Sequence, residues 1–126
     1  MKFSVFSVVL GLIALFYFLG FVFMPVQFMS QYGIRLDEGG ASIGRLFGGA
    51  LGGYAIAFWI IRNQAASTIA VRSALWATVF SNLVYLFVSL HSLFNGLVNS
   101  LAWSSVVVNI LIILASLYYL LQKKIG

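Results

Sequence analysis

The sequence predicts an all-α membrane protein, a compact bundle of four transmembrane helices with both termini in the cytoplasm. Three observations carry this. First, 63% of the 126 residues are hydrophobic and only 7% are charged, against about 45–50% apolar and about 25% charged in ordinary soluble domains. Second, four apolar stretches are each about 20 residues long, the length a helix needs to cross a hydrocarbon core. Third, the cations sit unevenly at the ends of those stretches. One side holds Lys2, Arg62, Arg72, Lys123 and Lys124; the other holds Arg35 and Arg45, opposed by Asp37 and Glu38. Lys and Arg near span ends are retained on the cytoplasmic side. The net charge of +5 is then an orientation signal, and nucleic-acid binding is not expected.

The first span is expected at about Phe3–Phe23. Lys2 supplies a minimal basic start, but the apolar run is too long and too rich in Phe and Tyr for a signal peptide, so a true span is expected. Pro25 ends it. Phe28, Met29 and Tyr32 in the following loop are expected to lie flat at the headgroups as a short interfacial turn. The second span is expected at about Ser42–Ile61, the third at about Ala70–Leu90 and the fourth at about Leu101–Leu121. Trp59, Trp76, Tyr118 and Tyr119 fall toward the cytoplasmic ends and Trp103 toward the outer end, as interfacial belts do. The chain reads as one transmembrane domain, placed in the cell inner membrane.

The stretch GGASIGRLFGGALGGYAIAFW opens the second span with seven glycines and Arg45. Gly44, Gly48 and Gly52 recur every four residues, and Gly49 and Gly53 form a second pair beside them. In lipid, small residues at this spacing let helix backbones approach closely. The seam fits either the small-residue row Ser4, Ser7, Gly11 and Ala14 of the first span or a second copy of the chain. Arg45 lies about one turn inside the outer end. Two readings stay open for it: an ion pair with Asp37 and Glu38 that closes the outer loop, or contact with an anion or polar headgroup.

Polar residues form one helix face on each of the last two spans. Thr78, Asn82, Tyr85, Ser89 and Ser92 line the third; Ser105, Asn109, Ser116 and Tyr119 line the fourth. A hairpin centred near Asn95–Gly96 sets Asn82 and Asn109 at equal depth, so their amides are expected to meet near mid-membrane. The stripe is either interhelical glue or the lining of a cavity whose outer end holds His91, Asn95, Asn99 and Trp103.

Cysteine is absent, and one histidine alone does not complete a metal or haem site. No Asp or Glu lies inside a span, which disfavours a proton relay. No catalytic constellation is recognisable, and neither an enzyme nor a cofactor is expected.

The segment IGRLFGGALGGYAIAFW, preceded by YGIRLDE and followed by two further spans, resembles the small bacterial four-helix membrane proteins of the DoxX-like superfamily, in particular members of unknown function. The motif-like part is Arg45 followed by Gly48 and Gly49. The resemblance implies a four-helix bundle and an accessory role beside a membrane redox or export system, and it brings no catalytic residues.

The function expected is therefore a non-enzymatic accessory or scaffold subunit. It uses lipid-facing aromatics and glycine seams to bind itself or partner membrane helices among membrane lipids, with Gly44, Gly48 and Gly52 as helix-packing residues. The alternative is a binding or transport module for a small polar or amphipathic molecule. Its outer-facing cavity would involve Arg45, His91, Asn82, Asn109 and Trp103.

Overall fold

The computed structural model describes residues 2–122. Those residues form helices α1 (Phe3–Phe23), α2 (Pro25–Ser30), α3 (Glu38–Ile61), α4 (Ile69–Phe94) and α5 (Ala102–Leu121). Four of them, α1, α3, α4 and α5, are long and apolar enough to cross a membrane. At a rise of about 1.5 Å per residue, they span about 30–39 Å, against about 30 Å of hydrocarbon. Lys123 and Lys124, two of the five cations behind the orientation reading, lie outside the described residues.

Two units divide the chain, Met1–Asn63 and Gln64–Gly126. In the first, α1 and α3 form a hairpin with α2 at its turn. In the second, α4 and α5 form the other hairpin.

Local chemistry sets the helix ends. Met24, the residue before Pro25, leaves the helical region at φ −140° and ψ 53°, as the proline ring demands of its predecessor. Pro25 then starts α2 at a position where no N–H is needed. A Schellman closure ends α2: Ile34 N–H donates to Met29 O, Gly33 N–H donates to Ser30 O, and Gly33 takes φ +78°. The same closure ends α4, with Leu97 N–H on Ser92 O, Gly96 N–H on Leu93 O and φ +69° at Gly96.

The first span keeps its expected limits, but α3 begins at Glu38, four residues before the expected Ser42. Asp37 is the reason. Its Oδ1 accepts the Gly40 N–H at 2.7 Å, and this N-cap carries the helix out into the polar loop. Thr68 caps α4 in the same way, accepting from Val71 N–H at 3.4 Å, and α4 continues to Phe94 rather than Leu90.

The loop aromatics differ from expectation. Phe28 is buried instead of lying flat at the surface. Its ring closes over Gly20, where a Cβ would overlap it. Edge-on contacts at 5.0–5.6 Å join it to Phe16, Tyr17 and Phe21. Burying a ring among rings, with no side chain at Gly20 to oppose it, gives the short helix a fixed anchor on α1.

Candidate functional site

In the first hairpin the glycine row of α3 is occupied by α1. A Cβ at Gly48 would lie 2.8 Å from Phe21 Cβ and 2.9 Å from Val22 Cγ2, and one at Gly52 would lie 2.7 Å from Phe18 Cδ1. Gly44 faces Phe21 and Pro25 at ordinary contact distance. The row therefore receives the bulky side of α1, whereas its small-residue row had been one expected partner. The small row has its own use. Ser7 is fully buried and its hydroxyl donates to Phe58 O at 2.6 Å. A Cβ at Gly11 would sit 3.8 Å from Phe58 Cβ. Each helix thus offers small residues where the other offers phenylalanine, which permits dense packing in the absence of a hydrophobic drive.

The second glycine row points elsewhere. Within the first hairpin nothing lies within 4 Å of a Cβ built at Gly49 or at Gly53. Exposed Leu46, Ile56 and Ile60 continue this face of α3.

Arg45 and the two carboxylates are taken up by separate bonds. Arg45 Nε donates to Val22 O at 3.3 Å, while Asp37 Oδ1 holds the Gly40 N–H. Among the described residues no ion pair joins Arg45 to Asp37 or Glu38. The physical reason lies in α1. Its last carbonyls have lost their helical donors because Pro25 interrupts the ladder, and an unpaired carbonyl in an apolar medium is costly.

This use of arginine recurs. Arg62 Nη1 donates to Trp59 O in the last turn of α3. Arg72 Nη1 donates to Leu120 O in the last turn of α5 at 3.2 Å. In α4 the donor is Asn95 Nδ2, on His91 O at 2.8 Å. Each of the four long helices therefore has a last-turn carbonyl engaged by a side chain. For the arginines the negative end of the helix dipole adds to the hydrogen bond. Sequence reasoning counted these cations for orientation and missed their capping role; their spacing from the helix ends was the available signal.

In the second hairpin the polar stripe is buried at Thr78, Asn82, Asn109, Ser116 and Tyr119. Asn82 does not bond to Asn109. Its Nδ2 donates to Thr78 O, one turn earlier on its own helix, at 2.9 Å, and Thr78 Oγ1 in turn donates to Ala74 O at 2.7 Å. A carbonyl at i−4 is always within reach of a short polar side chain and competes with bonds between helices. Ser116 Oγ is buried without a hydrogen-bond partner among the described residues.

His91 is exposed at the end of α4. Trp103 is about half exposed, its ring set edge-on to Phe94 at 6.3 Å. The candidate ligand residues divide between the units, with Arg45 in the first and Asn82, His91, Trp103 and Asn109 in the second. Among the described residues no group of three or more His, Asp or Glu is placed to hold a metal ion. No family model, no curated protein and no solved structure matches this chain.

Proposed function

We propose that the chain is a multi-pass inner-membrane protein with both termini in the cytoplasm. It acts as a non-enzymatic accessory or scaffold subunit that packs against itself or against partner membrane helices. What supports this reading most is the asymmetry of α3. Its Gly44, Gly48 and Gly52 row is filled by α1, and within the first hairpin its Gly49 and Gly53 row is left open. An open row of glycines in a lipid-exposed helix is a place where another helix gains close backbone contact. The DoxX-like resemblance is compatible with an accessory role.

Single cysteines test this in a chain that has none of its own. Under mild oxidation in native membranes, a cysteine in place of Gly53 forms a disulfide-linked dimer where the occupant is a second copy, and one in place of Gly52 does not. Native mass spectrometry from mild detergent detects a different partner, whose retention falls when Gly53 is replaced by Leu. A chain that forms no Gly53→Cys dimer and is recovered as a monomer alone counts against the proposal.

A second reading is favoured by one observation. Ser116 Oγ is buried and unbonded on the same stripe as buried Asn109, and unpaired buried polar groups are expensive. In this reading a small polar or amphipathic molecule supplies the missing bonds. It predicts a co-purifying small molecule that is lost in the Asn109→Leu variant.

A further inference from the structure

The end of the first hairpin where α1 begins and α3 finishes carries Lys2 and Arg62 with no acidic side chain of the hairpin near them. The chain has two acidic side chains, Asp37 and Glu38, and both stand at the opposite end of α3. The 24 residues of α3 put them about 36 Å away, several times the Debye length of about 8 Å at physiological salt.

The register of the hairpin brings two cations to one level. Ser7 of α1 is bonded to Phe58 of α3. Lys2 lies five residues before Ser7, and Arg62 lies four residues after Phe58. At about 1.5 Å per residue both extend roughly 6–8 Å past that bond, on neighbouring helices. Lys2 is exposed and its side chain makes no cap. The Arg62 guanidinium lies 3.9 Å from the centre of the Trp59 ring and spends one donor on Trp59 O. Stacking and capping together hold the planar fork in place. Its other N–H groups are left for an acceptor. Trp59 itself is 56% exposed and belongs to the residue type that settles at headgroup depth.

We infer that Lys2, Arg62 and Trp59 hold the phosphate of an anionic phospholipid headgroup. Arg62 donates a pair of hydrogen bonds to the phosphate oxygens, Lys2 adds a second positive charge, and the indole sits beside the glycerol backbone. This goes beyond the scaffold reading and does not depend on it.

The test is native mass spectrometry of the full chain in neutral detergent. It is incubated with equal amounts of phosphatidylglycerol and phosphatidylcholine of matched acyl chains. A juxtamembrane cation is worth about a fivefold preference for anionic lipid. The wild type should retain phosphatidylglycerol at least about fivefold over phosphatidylcholine. The Lys2→Gln variant, which removes no hydrogen bond within the chain, should lose about two- to fivefold of that preference at unchanged thermal stability. Lys2→Gln with Arg62→Gln should fall to within about twofold of parity. Arg35→Gln, at the other end of the hairpin, should keep the wild-type ratio. Equal retention of the two lipids by the wild type would overturn the inference. So would an unaltered preference in both Lys2→Gln and the double variant, or its loss on replacing Lys123 and Lys124 instead. Displacement of the lipid by millimolar inorganic phosphate would show that the site takes free phosphate, and the lipid assignment would fall.

Discussion

Replacing Gly48 with alanine adds one methyl group at the tightest point of the first hairpin. That methyl would stand 2.8 Å from Phe21 Cβ, 2.9 Å from Val22 Cγ2 and 3.3 Å from Val22 N. Neither Phe21 Cβ nor Val22 N is the far end of a flexible side chain, so no rotamer change relieves the overlap. The helices must separate locally by about half an ångström, and overpacking of this kind costs about 1–3 kcal/mol. One or two kcal/mol is a factor of about 5–30 in the folding equilibrium. At Gly52 the obstruction is the Phe18 ring at 2.7 Å, which can swing aside, so Gly52→Ala should cost less. At Gly49 nothing lies within 4 Å, and Gly49→Ala should stay within about 0.5 kcal/mol of wild type. Reversible SDS titration in mixed micelles measures the order, with Trp76 and Trp103 changed to Phe so that Trp59 alone reports on the first hairpin. The expected ranking of cost is Gly48, then Gly52, then Gly49. Equal effects at Gly48 and Gly49, or a harmless Gly48→Ala, would refute the packing argument.

Further outcomes follow from the hydrogen bonds. Ser7→Ala removes the bond to Phe58 O and should destabilise the first hairpin by about 0.6–1.7 kcal/mol in the same titration. Asp37→Ala should cost about 1 kcal/mol through its lost cap. In a double-mutant cycle with Arg45→Gln the two changes should add to within about 0.5 kcal/mol, because the residues serve separate acceptors and donors; strong coupling would restore the ion pair. Ser116→Ala deletes a buried hydroxyl that makes no bond, so thermal unfolding should show unchanged or raised stability. A clear drop in that melting temperature would mean that the hydroxyl has a partner.

The four long apolar helices, the limits of the first of them and the interrupting role of Pro25 were legible in the sequence because each rests on local composition. The glycine row was legible as a seam, but not its partner face. Spacing shows that a backbone can come close, while the choice between the Ser4 to Ala14 row and the Phe18, Phe21 and Val22 row depends on rotation about the helix axis. The start of α3 was set too late because a hydropathy reading stops at charge, and Asp37 acts there as a cap. The two expected side-chain pairs, Arg45 with the carboxylates and Asn82 with Asn109, went unmade for one shared reason. In each case a backbone carbonyl, Val22 O or Thr78 O, was the acceptor taken up. Sequence spacing lists side chains at a given depth and leaves carbonyls out. Phe28 was assigned to the surface because loop aromatics at a membrane usually sit at the interface; Gly20, eight residues earlier, was the signal that a ring had somewhere to go.

The most direct measurement of the account is the sidedness of its three connections. Single cysteines placed at Gln31, Asn63 and Asn99 are probed with a membrane-impermeant maleimide in intact cells and again after permeabilisation. Four crossings with basic ends inside predict labelling of Gln31→Cys and Asn99→Cys from outside, and labelling of Asn63→Cys only once the membrane is opened. Labelling of Asn63→Cys in intact cells, or protection of either outer position, would contradict it.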